Sequence, residues 1–167
     1  MRLLFALALA GLAWGCAIKN TAMYGGDNLP SDARAVISSL GVHDSKQLRI
    51  QVISINGEPV DLLKTASFIV PPGSYQVAVH AVTSVSVTQG AQGLTYSKKS
   101  ANGEVTVVAQ AGHTYIPNGQ ILGERVRLYF DDAGKNFPTE CLPTYVVVNT
   151  SSNPGHALYR TDKKCQR

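Results

Sequence analysis

The chain has 167 residues, of which 44% are hydrophobic and 16% charged, with 15 glycines and 8 prolines. These values exclude a disordered chain and allow one globular domain with a sizeable core, and the many Gly, Pro, Val, Ser and Thr residues point to an all-β chain rich in turns. The formal charge of +4 is spread thinly. Adjacent basic residues occur only as Lys98-Lys99 and Lys163-Lys164, without interleaved aromatic residues, so the sequence does not have the form of a nucleic-acid binder.

The chain opens with MRLLFALALAGLAWGC, one basic residue and then an apolar run from Leu3 to Leu12. That run is shorter than the roughly 20 residues of a bilayer-spanning helix and has the form of a secretory signal over residues 1–15, so export is expected. Leu12-Ala13-Trp14-Gly15-Cys16 resembles the lipobox of bacterial lipoproteins: Gly15 and Cys16 fit, Leu12 lies one place early, and Trp14 stands where a small residue is usual. The resemblance implies that Cys16 becomes the lipidated, palmitate-bearing first residue, anchored in the cell envelope. Because Ala17 rather than an aspartate follows it, it also implies the periplasmic face of the outer membrane. Ordinary cleavage near Ala17, with loss of Cys16, is the alternative. The chain has three cysteines, an odd count for an exported protein. Lipidation accounts for Cys16 and leaves Cys141 and Cys165 to pair as a disulfide. There is no Cys-x-x-Cys redox spacing, and His43, His80, His113 and His156 show no ligand spacing, so no metal or other cofactor is expected.

Polar, turn-rich residues to Asp32 read as a flexible tether over 16–32, ahead of a β domain over 33–167. In SDARAVISSLG, Ser31 would cap a helix with Ala33, Val36, Ile37 and Leu40 on one face, ended by Gly41. The β-branched pair Val36-Ile37 in a mostly β chain favours a strand instead. Leu48 to Ile55 followed by Asn56-Gly57 predicts a hairpin, and the phase change from Leu48, Ile50 and Val52 to Ile53 and Ile55 predicts a bulge or a strand buried on both sides. Phe68 to Val87 organises the chain: an apolar run, a turn at Pro71-Pro72-Gly73, then strict alternation with Tyr75, Val77, Val79 and Ala81 on the buried side, which together predict a long ribbon. Gln89 to Asn102 reads as a mobile polar loop, whose Gly-x-x-Gly lacks the context of a phosphate cradle.

Three further strands are expected. Glu104 to Ala109 places Val105, Val107 and Ala109 inwards, His113 to Ile116 begins another after Ala111-Gly112, and Glu124 to Phe130 alternates Val126, Leu128 and Phe130 against Arg125, Arg127 and Tyr129. Asp131-Asp132-Ala133-Gly134 reads as a turn, Tyr145 to Val148 as a strand buried on both faces, and Asn153-Pro154-Gly155 as a last turn before a tail pinned by Cys165. The expected architecture is a single antiparallel β-sandwich or partly open barrel. His113, at a strand start beside Tyr115, is expected to satisfy a backbone group or pack on that ring. His80 falls on the solvent phase of its strand.

Three motifs carry a family resemblance: Ile55-Asn56-Gly57-Glu58-Pro59-Val60, Val70-Pro71-Pro72-Gly73-Ser74-Tyr75-Gln76-Val77 and Ala111-Gly112-His113-Thr114-Tyr115. Together they resemble PEGA-like modules and small periplasmic lipoproteins of transthyretin-like β-sandwich type. The resemblance implies a fold and an envelope location and brings no catalytic residue with it. Gly-x-Ser-x-Gly, His-Glu-x-x-His and Ser-x-x-Lys motifs are absent, so a non-catalytic binding or structural lipoprotein is the expected class. A strip of Arg125, Arg127 and Tyr129 is its candidate contact site, for an envelope protein or a cell-wall polymer bearing carboxylates. The alternative is a periplasmic hydrolase whose site joins His113 to one of Asp131, Asp132 or Glu140.

Overall fold

Side chains that alternate between a wet and a dry face need a second layer to cover the dry one, and this chain supplies it with two large sheets. The computed structural model describes residues 19–43, 48–61, 65–83, 86–90, 93–97, 99–150, 153–160 and 165, with backbone alone for 19, 43, 86–90, 93–97, 144–150 and 153–160. The signal segment 1–15 and the candidate anchor Cys16 lie outside these residues.

The first sheet contains β1 (Lys19–Ala22), β2 (Ala35–Ser38), β6 (Thr65–Val70), β11 (His113–Leu122) and β12 (Arg125–Lys135), in the order β1-β6-β2-β11-β12. The second contains β3 (Leu40–His43), β4 (Leu48–Ile55), β7 (Gly73–Thr83) and β10 (Ser100–Ala109), in the order β10-β7-β4-β3, with β5 (Glu58–Pro59) beside β4. All pairs are antiparallel except β1 with β6 and β2 with β11. Two smaller antiparallel pairs, β8 (Ser86–Gly90) with β9 (Gly93–Ser97) and β13 (Thr144–Thr150) with β14 (Asn153–Arg160), complete the described strands. The large sheets do not close into a barrel, and the fold is an all-β sandwich.

The core gathers Ile37, Phe68 and Val70 from one sheet and Ile50, Val52, Val77 and Val79 from the other, all buried. Each such side chain contributes about 1.5–3 kcal/mol of apolar burial. On β10, Val107 and Ala109 are buried and Val105 packs against the core, as the alternation predicts.

Ala33 and Arg34 lie in a turn, and Ala35–Ser38 and Leu40–His43 are strands, so the β-branched pair outweighs the potential helix cap. At Ser39 the chain passes from β2 in one sheet to β3 in the other. Both serines at the bend are buried and satisfied: Ser38 Oγ donates to the Leu40 carbonyl at 2.8 Å and Ser39 Oγ to the Ala66 carbonyl at 2.8 Å. A Cβ at Gly41 would lie 1.7 Å from the Pro117 carbonyl oxygen, so only glycine lets β3 cross so close to β11. The Asn56-Gly57 turn has both residues at positive φ, 47° and 79°, which suits the twist of the strands it joins. The bulge is present too. Val52 pairs with Val79 and Ser54 with Ala78, leaving Ile53 as the extra residue, 39% exposed, while Ile55 returns to the core.

Several expectations are corrected. Pro71-Pro72-Gly73 does not close a ribbon: β6 and β7 lie in different sheets, and the turn carries the chain across the core. β7 is described to Thr83, residues 84 and 85 lie outside the described residues, and Ser86 and Val87 belong to β8; much of the segment read as a mobile loop belongs to the hairpin β8–β9 and the start of β10. Asp131 to Gly134 is not a turn but part of β12. Likewise Asn153-Pro154-Gly155 lies within β14, with Thr150 paired to Asn153; Tyr145 to Val148 belong to strand β13, and the burial expected of their side chains lies outside what is described. From Lys19 onwards the supposed tether is structured. β1 runs beside β6, Met23 N–H donates to the Ile69 carbonyl at 2.9 Å, and the Tyr24 hydroxyl donates to the Ile55 carbonyl at 2.9 Å. Its pairing partner is more than forty residues away, which a local polar composition does not disclose.

Candidate functional site: the outer strip of β12 and the His113–Asp132 pair

β12 is an edge strand of its sheet, paired with β11 on one side. Val126, Leu128 and Phe130 pack against the core, so Arg125, Arg127 and Tyr129 stand on the outer face, opposite Leu122, Gln120 and Asn118 of β11. Both arginines are exposed and Tyr129 is half-buried. Among the described residues neither guanidinium is paired with a carboxylate. The strip predicted from alternation is therefore present.

Because β12 continues to Lys135, the same face goes on to Asp131, which accepts a hydrogen bond from Asn118 Nδ2. Asn118 is buried, and its Oδ1 accepts the Gly119 N–H at 2.6 Å. The strip is thus two cations, an aromatic ring and then a carboxylate already engaged, so its anion-attracting part is the half nearest the β11–β12 turn.

At the other end of β12, His113 faces Lys135 and Tyr115 faces Asp132, so three steps on β12 oppose two on β11. This bulge brings Asp132 to His113: imidazole Nδ1 lies 2.8 and 3.0 Å from the two carboxylate oxygens. Asp132 Oδ1 also accepts the Gly134 N–H at 2.8 Å, and Gly134 holds φ 88°. His113 stacks on Tyr115 with ring centroids 6.4 Å apart. The expectation of ring packing is met, and the pairing with Asp132 is the one the hydrolase alternative named.

A base oriented by a carboxylate needs a nucleophile on its other nitrogen. Among the described residues the side-chain hydrogen bonds of His113 go to Asp132 alone. A neighbouring recess of about 300 Å³, lined by Arg34, Thr114, Asn136, Thr139 and Glu140, includes neither His113 nor Asp132. Glu140 is therefore not joined to the imidazole. His80, half-buried on the outer face of β7, bonds across the ladder to Asn102 at 2.5 Å.

One feature had no local signal in the sequence. Tyr24, Glu58, Asp61 and Phe68 line an open cleft of about 450 Å³ between β1 and β5. Tyr24 lies 5.8 Å from Tyr75, ring to ring, and burial, followed by the Glu58 carboxylate, pushes its phenol above the ordinary value. Cys141 and Cys165 are bonded, with Cα atoms 5.3 Å apart. Among the described residues no group of three or more His, Cys, Asp and Glu side chains is gathered as a metal site, and no helix is long and apolar enough to cross a membrane. No family model, curated protein or solved structure matches the chain.

Proposed function

We propose that this chain is a non-catalytic lipoprotein of a bacterial cell envelope, held by a lipid on Cys16 at the periplasmic face of the outer membrane. In this reading it binds a carboxylate-bearing partner, an envelope protein or a cell-wall polymer, through Arg125, Arg127 and Tyr129. Turn motifs similar to those of PEGA-like and transthyretin-like envelope modules are consistent with that setting. The observation that carries the reading is two exposed guanidinium groups at strand spacing on a packed β-strand, neither in an ion pair with a carboxylate among the described residues. Such planar forks suit bidentate pairing with carboxylates, and a rigid strand lowers the ordering cost of binding.

Replacing both arginines by glutamine is expected to weaken capture of the partner from envelope extract while the unfolding transition stays in place. Undiminished capture would remove the strip from the proposal. The hydrolase alternative draws on the His113–Asp132 pair, and His113→Asn separates the two readings. A stable variant that loses an assayable hydrolytic activity would make the pair catalytic, whereas a binding module loses at most stability.

A further inference from the structure

The two ends of the sandwich differ in chemistry. Because β1 is parallel to β6, β6 antiparallel to β2, and β2 parallel to β11, β1 starts at the end where β11 finishes. Thr21, Phe68, Ile37 and Tyr115 share one level across the sheet. From there β1 extends two residues, to Lys19, while β11 extends seven, to Leu122. The β11–β12 tip therefore overhangs the start of β1 by about five residues, roughly 16 Å at the rise of a strand.

At that tip the last two residues of β11, Ile121 and Leu122, are 41% and 51% exposed, one on each face of the strand beside the Gly123-Glu124 turn. Lys99 and Arg125 line a small recess together with Ile121, and Glu124 is the acid beside them. Arg127 follows on β12. The opposite end carries Asp27, Asp32, Glu58, Asp132 and Glu140 against Arg34 and Lys135. Cys16 precedes Lys19 by three residues, which reach at most about 11 Å when fully extended. A lipid there leaves the sandwich no slack to stand clear of a bilayer. The overhang beyond the reach of Cys16 is about 5 Å, the depth to which interfacial apolar groups sink between headgroups and acyl chains.

We infer that the tip, Ile121 and Leu122 flanked by Lys99 and Arg125, docks on the anionic phospholipid surface of the membrane that holds Cys16. The inference rests on the reading of Cys16 as lipidated. The apolar pair enters the headgroup boundary and the two cations meet lipid phosphates. With Arg125 engaged by lipid phosphates, the part of the strip left to the partner at the membrane is Arg127 and Tyr129, just above the headgroups, so that partner is met close to the membrane.

The sequence has a single tryptophan, Trp14, which leaves with the signal. Leu122→Trp thus places one fluorophore at the tip, and Val108→Trp, at a residue 65% exposed on β10, places one away from it. Each full acylated chain is reconstituted into vesicles of phosphatidylglycerol and brominated phosphatidylcholine. Bromine is expected to quench Leu122→Trp several-fold more than Val108→Trp, and an added Ile121→Ser to reduce the difference. Equal quenching at the two positions, or none at either, would overturn the inference. Fatty-acid labelling scores the anchor separately. Should the chain carry no fatty acid, the soluble Cys16→Ser form of Leu122→Trp is mixed with the same vesicles. Quenching there supports docking by charge and apolar contact alone, and its absence overturns it.

Discussion

The sandwich and the C-terminal pair β13–β14 are both antiparallel β-structure, yet they are held by different means. In the sandwich two sheets bury Ile37, Phe68, Val77 and their neighbours in a common core, so each strand is stabilised by residues distant in sequence. The C-terminal pair belongs to neither large sheet, and the segment that contains it is closed by the bond between Cys141 and Cys165, 24 residues apart. A two-stranded ribbon alone is marginal in water, which makes a covalent closure of its ends physically reasonable. One chain thus combines a region stabilised by burial in the folded state with one stabilised by restricting the unfolded state.

The largest expected effect is on the burial side. Phe68 is 1% exposed at the centre of the core, and Phe68→Ala should cost about 3–5 kcal/mol, read from the urea midpoint at unchanged slope. A cost near zero would mean that the two sheets are not packed as described. The next effect tests the covalent side. For a loop of this length the chain-entropy treatment gives roughly 3.5 kcal/mol, and the double replacement Cys141→Ser with Cys165→Ser should lose about 2–4 kcal/mol. Hydrogen exchange should quicken first in β13 and β14 while β4 and β7 keep their protection. Equal quickening in all four strands would join the two regions into one cooperative unit.

The smallest effect sharpens the picture at the edge of the sandwich. Tyr24→Phe removes the bond to the Ile55 carbonyl and should cost about 0.5–1.5 kcal/mol at neutral pH. It should also flatten the alkaline end of the stability profile. The phenol is raised above its ordinary value by burial and then by Glu58, so in alkali the unfolded chain loses this proton before the folded one. Its contribution is complete below about pH 10 and falls as pH rises through the folded-state value. Tyr75, raised by burial, acts in the same sense, so part of the alkaline loss should persist in the variant. An unchanged alkaline limb would detach Tyr24 from the sandwich.

The sequence by itself determined the features that depend on near neighbours. Two-residue alternation decides which side of β7 and β12 is buried, Asn56-Gly57 decides a turn, and the phase slip at Ile53 decides a bulge, because each is set by steric preferences within a few residues. The outer strip of Arg125, Arg127 and Tyr129 was legible for the same reason. Tertiary structure alone decided which strands pair. Pro71-Pro72-Gly73 turns the chain in either case, but whether it closes a hairpin or crosses between sheets depends on β1 and β2 taking the hydrogen-bonding edges of β6. Lys19–Ala22 is a strand only because β6 offers it an edge, and the bulge that brings Asp132 to His113 exists only in the register of β11 against β12. Hydrogen bonds across a sheet join residues without regard to their separation along the chain, so local composition carries no trace of them.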